Sequence, residues 1–133
     1  DGSFLLGDGY WNSRIVKYNA EGEYLMEWGE LGSGPGQFNM PWGISVGPDG
    51  NVYVADITNG AIGVVKPSGK YQVLFKDERL SWPDGFSYGA DHKIYFTVDE
   101  LHRSPVLNNG RNASQGKFSV LSFDPLVKGK VGR

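Results

Sequence analysis

One carboxylate, one imidazole–guanidinium pair and two indoles are the side chains of this sequence whose setting suits them to chemistry. Asp84 follows Trp82-Pro83 and precedes Gly85. A carboxylate there suits a hard cation such as Ca2+, which gathers about six to eight oxygen ligands; the same Pro-Asp-Gly triplet also serves turns. Trp42 and Trp82 can stack on a sugar or peptide ring if exposed. His102-Arg103 offers donors to an anion, with Asp99 and Glu100 beside it, although acid–base work would need a shaped pocket. Asn112-Ala113-Ser114 is an N-glycosylation sequon.

Composition excludes other chemistry. With no Cys there is neither a disulfide, nor a thiolate nucleophile, nor a Cys-ligated zinc. Two His cannot make a three-His zinc site within one chain. The net charge is −2 and the Lys and Arg residues are dispersed, which excludes a nucleic-acid face. No apolar run approaches the ~18 residues of a membrane-spanning helix. The chain opens on Asp1 without Met or a leader, which reads as an excised piece, and an extracellular, secreted setting is expected.

Repetition supplies the scaffold for these residues. Residues 41–55, PWGISVGPDGNVYVA, return 42 positions later as PDGFSYGADHKIYFT, with Pro, Gly, Ser, Gly, Asp and Tyr in place. Residues 4–28 match 52–75 once one residue is inserted near Trp11, which sets Asp8 on Asp56 and Asn12 on Asn59. A period of ~40–45 residues is the length of a four-stranded propeller blade.

Short β-branched and aromatic runs, broken by turn residues, predict strands over 3–8, 13–19, 23–28, 43–47, 51–56, 61–66, 71–75, 84–88, 93–98 and 117–124, with a stub after Gly129. Pro48-Asp49-Gly50-Asn51 and Pro67-Ser68-Gly69-Lys70 supply turns whose Gly accepts a positive φ. The fold expected is all-β, a β-propeller of four-stranded antiparallel blades, with this chain supplying about 2.5–3 of them. A partial blade would occupy 1–30, a complete one 37–76, and a third 82–133 with an inserted loop over 99–116.

An arc of that size leaves sheet edges open. A homo-oligomer is therefore expected: a dimer closing a six-bladed ring, or a filament, unless the rest of a propeller completes it.

The residues also carry family resemblances. GSGPGQFNMPWGISVGPDGNVYVADITNGAI resembles an NHL-type propeller repeat, and that character runs through residues 2–75. Within it, DGYWNSRIV at 8–16 is similar to the peptidyl-α-hydroxyglycine amidating lyase family. That resemblance implies a zinc held by three His, with Arg14 and Tyr10 near the substrate. The first of those His matches Trp42, which has no lone pair for a metal. Residues 80–133 resemble the senescence-marker/gluconolactonase-like and yellow/royal-jelly-like propellers, which implies that Asp84 binds a central divalent cation and assists proton transfer.

Two functions follow as expectations. The first is a non-catalytic extracellular interaction module that self-associates through open blade edges. The alternative is a metal-dependent lactonase, hydrolase or amidating-lyase-like enzyme, with Asp84 at a Ca2+ or Zn2+ and Arg14 polarising the substrate.

Overall fold

A computed structural model describes residues 1–129, so the stub expected after Gly129 lies outside the described residues. The chain forms β1 (Phe4–Asp8), a single helical turn α1 (Gly9–Asn12), β2 (Arg14–Tyr18), β3 (Tyr24–Trp28), β4 (Pro41–Val46), β5 (Val52–Asp56), β6 (Ala61–Val65), β7 (Tyr71–Lys76), β8 (Pro83–Tyr88), β9 (Ile94–Val98), a 3-10 turn (Leu101–Arg103) and β10 (Ser119–Phe123). The strands build three antiparallel sheets in the orders β1-β2-β3, β4-β5-β6-β7 and β10-β9-β8, here called sheets 1, 2 and 3. The structure is all-β, and among the described residues the sheets form an open arc.

The repeat is visible in backbone detail. In sheet 2 the β4–β5 register shifts between Pro41 and Ile44, and in sheet 3 the β8–β9 register shifts between Pro83 and Phe86, the same place in the repeat. Gly50 turns the β4–β5 hairpin at φ 77°, and His92 occupies the equivalent position of β8–β9 at φ 66°. In sheet 1, β1 stands where β5 stands in sheet 2, and among the described residues no strand of sheet 1 corresponds to β4.

Packing follows from the alternation of side chains across each strand. Ile15, Phe38, Val54 and Tyr71 close the junction between sheets 1 and 2 together with Leu5, Trp28 and Ile44. Tyr53, Val64 and Ile94, and separately Ile62, Leu80 and Phe96, close the junction between sheets 2 and 3. Covered on both faces, β5 and β6 are buried at every residue. The outward faces differ. Sheet 1 exposes Phe4, Leu6 and Tyr24, whereas sheet 3 pairs Tyr95 with Ser87 and Ser122, and Thr97 with Val120.

Candidate functional site on the rim of the arc

In an antiparallel blade the second strand ends where the first begins, so one rim collects both. Here Asp8 and Asp56 end β1 and β5, while Pro41 and Pro83 begin β4 and β8. Every residue singled out in the sequence for chemistry lies on that rim or on the loops that leave it.

Asp56 organises the middle of the rim. It is 1% exposed; its Oδ1 accepts the Asn39 N–H at 2.8 Å and its Oδ2 accepts Asn59 Nδ2 at 2.8 Å. Asn59 Nδ2 also donates to the Gly32 carbonyl at 3.0 Å, so the pair pins the 29–40 connection that delivers Trp42. Burial raises the Asp56 pKa, and the bonds from Asn59 and Asn39 oppose that. With all its bonds spent on the chain, Asp56 is a positioning group.

Trp42 is 40% exposed, and Tyr10 on α1 meets it edge-on with ring centroids 4.7 Å apart. Next to Trp42, Gly43 lies against the Asp84 backbone; a Cβ there would come within 3.3 Å of the Asp84 carbonyl. The Asp84 side chain accepts its neighbour's N–H, Gly85 N to Oδ1 at 2.7 Å, the local bond of a turn-type carboxylate. Tyr10, Trp42 and Asp84 thus follow one another along the inner rim, across the junctions of the three sheets.

Arg14 is committed within the chain. Its Nε donates to Asp8 Oδ2 at 2.9 Å and its Nη1 to Glu27 Oε2 at 2.8 Å, bracing β1, β2 and β3. The bond to Arg14 lowers the Asp8 pKa, burial opposes it, and the Asn12 amide lowers it further. Trp82 is 7% exposed and His102 stacks on it at 5.6 Å with nearly parallel rings. That ring face is filled from within the chain, so Trp82 offers no open platform, and His102 is half-buried on it.

The 99–116 insertion is held by a residue that the sequence did not single out for this role. Glu100 is 4% exposed and accepts Arg103 Nη1 at 2.6 Å, Ser114 Oγ at 2.9 Å, and the N–H groups of Gln115 and Lys117 at 2.6 and 3.3 Å. Burial raises its pKa, but those four donors outweigh it and bring the group down to about 2. Arg103 therefore answers Glu100 before any external anion. A cleft of about 400 Å³ lies beside them, walled also by Arg79, Ser81 and Lys117. Asn112 is exposed, and its Oδ1 accepts the Ser114 N–H at 3.1 Å.

A resident Ca2+ or Zn2+ needs several donors converging on one point. Among the described residues no group of three or more His, Cys, Asp or Glu does so. The donor set of this chain does not fit such an ion by itself, and no chemical step is derived through one.

The NHL repeat pattern matches residues 38–65, the span from the Asn39–Asp56 staple through β6. The chain has an NHL-repeat β-propeller fold. It is 33% identical over 140 residues to the peptidyl-glycine alpha-amidating monooxygenase of Mus musculus, covering 96% of this chain and 14% of that protein. It is 32% identical over 128 residues to NHL repeat-containing protein 3 of Homo sapiens, covering 87% and 34%. Among solved structures, a virginiamycin B lyase from Staphylococcus aureus overlays with a TM-score of 0.53 at 20% identity, covering 86% of this chain and 35% of that one. The NHL-repeat fold is thus related to that of the amidating monooxygenases and to that of the virginiamycin-B-lyase-like propellers. The chain spans a minor part of each.

Proposed function

We propose that this chain is part of a lyase-type β-propeller and supplies a substrate-holding stretch of its rim. One observation carries the reading: Tyr10, Trp42 and Asp84 line one rim across adjacent sheet junctions, in a chain that aligns over 96% of its length with an amidating monooxygenase. The substrate class that fits is a peptide ending in α-hydroxyglycine. The Trp42–Tyr10 pair would pack against its penultimate side chain, and the second oxygen of Asp84 would accept a hydrogen bond from its terminal N–H or hydroxyl. Arg14 acts as a positioning residue, because its guanidinium holds the β1–α1 corner that carries Tyr10. The ligands of any metal would come from outside these residues.

The test is a titration of a peptidyl-α-hydroxyglycine analogue followed by indole fluorescence, since Trp42 is 40% exposed. Aromatic pairs contribute about 0.5–1.5 kcal/mol beyond area burial, so Tyr10→Ala, which keeps the reporting indole, should weaken binding by up to about tenfold. Equal affinity in the variant overturns the reading.

The opposing reading is a non-catalytic extracellular module, and it draws on Trp42 standing where the family resemblance implies a zinc-binding His. Under that reading Asn112 is a surface glycan site and the free sheet edges are the working surfaces. Binding of the analogue together with the mass in solution separates the two. Saturable binding of the analogue that weakens on Asp84→Ala favours the enzyme, and an oligomer that binds no analogue favours the module.

A further inference from the structure

The two junctions of the arc correspond position by position, because the pairing registers repeat. Leu5 pairs with Lys17 as Tyr53 pairs with Val64. Val46 pairs with Val52 as Tyr88 pairs with Ile94, and Val65 pairs with Val52 as Phe123 pairs with Ile94. Between sheets 2 and 3, Tyr53, Tyr88 and Phe123 pack around Val64 and Ile94. Between sheets 1 and 2 the corresponding residues are Leu5, Val46 and Val65, each an aliphatic chain in place of a ring. The opening strand β4 puts no side chain into the clusters between sheets 2 and 3. The contrast therefore lies in residues that both junctions possess, not in the number of strands in sheet 1.

At that place lies a cleft of about 480 Å³, walled by Leu5, Lys17, Met26, Trp28, Val46 and Val52. It reaches the β4–β5 and β6–β7 turns, and so sits on the rim opposite Tyr10, Trp42 and Asp84. Its polar groups are unspent. Lys17 stands where sheet 2 has the fully buried Val64, and among the described residues neither Lys17 nor Lys66, which also borders the cleft, has an ion pair. Alternation along the strands sets Lys17, Met26 and Trp28 on one face of sheet 1. The Trp28 indole N–H is buried and has no acceptor among the described residues, a costly state for a donor. The one carboxylate at the cleft, Asp1, is turned to its own segment: its Oδ1 accepts the Ser3 N–H at 3.0 Å and the Ser3 hydroxyl at 2.7 Å.

We propose that this cleft binds a small amphipathic carboxylate, a monocarboxylic acid bearing a phenyl ring or a short alkyl chain. Its apolar body lies against Leu5, Val46 and Val52, in the volume that rings fill at the other junction. Its carboxylate accepts from the Lys17 ammonium and the Trp28 indole N–H, with Lys66 adding positive charge. An ammonium and an indole N–H are donors without acceptor capacity, so the group that satisfies both must accept from both. The cleft has the volume of ordinary small-molecule sites, about 300–1,000 Å³, and their make-up of apolar walls with a few placed polar groups.

The test titrates the full chain with hydrocinnamate and follows the indole N–H resonances of its 4 Trp by nitrogen–proton correlation NMR, with Trp28→Phe to assign the one that matters. A saturable shift of the Trp28 resonance is expected. Lys17→Met should bind hydrocinnamate about tenfold more weakly, and the parent should bind the neutral hydrocinnamyl alcohol weaker by the same factor, as loss of a hydrogen bond to a charged group implies. Val46→Tyr, which copies the residue of position 88, should close the cleft and abolish the shift while the backbone spectrum stays dispersed. No saturable shift by about 10 mM, a decade above the millimolar affinity expected of so small a ligand, overturns the proposal. Shifts confined to Trp11 or Trp42 overturn it too, as does equal binding by the alcohol, by Lys17→Met or by a folded Val46→Tyr.

Discussion

Glu100 shows how one side chain can decide the state of a loop. Its carboxylate is the meeting point for Arg103, Ser114, Gln115 and Lys117, residues separated from it by up to 17 positions. A carboxylate held below its ordinary pKa stabilises the folded form fully above that ordinary value and loses the contribution as protons arrive. The order of the 101–118 segment should therefore be complete above pH 4.5 and fade as the pH falls toward about 2. Limited proteolysis by pepsin across that range should cut the loop progressively faster, and Glu100→Gln should cut at pH 4.5 as the parent does near pH 2. The sequence made Asp84, Trp42 and the sequon visible because each sits in a short local motif. It could not show Glu100 or the His102–Trp82 stack, since their partners are brought in by chain closure rather than by spacing.

Hairpins were the most legible elements. The expected strands agree with those formed to within two residues at every boundary, because period-two alternation and Gly-bearing turns are local physics. The helical turn α1 had no such signal: it absorbs the one-residue insertion near Trp11 and carries Tyr10 to Trp42. Gly9, at its start, abuts Pro41, and a Cβ there would collide with the Pro41 carbonyl oxygen. Gly9→Ala should push α1 off β4 at a cost of about 1–3 kcal/mol, the range of overpacked sites. A lowered denaturation midpoint with an unchanged m-value would record it. The same variant should separate Tyr10 from Trp42 and alter the indole emission.

At the scale of the whole arc, the two outward faces are unequal. Sheet 1 presents Phe4 stacked on Tyr18, Tyr24 edge-on to Tyr18, and Leu6 at 49% exposure. Sheet 3 presents hydroxyls from Ser87, Tyr95, Thr97 and Ser122, with Val120 among them. A six-bladed ring or filament made head to tail would press the aromatic face onto the hydroxyl face, unlike either existing junction. Any association of the chain should thus run through sheet 1. Leu6→Ser with Tyr24→Ser should lower the mass seen by light scattering at high concentration, and Thr97→Lys with Ser122→Lys should leave it unchanged. The repeat made the open arc legible, but not which end is sticky, because that depends on which side of each strand turns outward.

The complete burial of β5 and β6 also sets an order of events. Both junctions draw apolar side chains from the middle sheet, while among the described residues the flanking sheets have three strands apiece. In repeat architectures, where each unit leans only on its neighbours, opening starts at the ends and travels inward. The amides of β3 and β10 should exchange with solvent first and those of β5 and β6 last. The molecule then behaves as a folding nucleus with two detachable wings, and the rim that holds Tyr10, Trp42 and Asp84 spans both hinges. Whatever binds there clamps the wings to the nucleus.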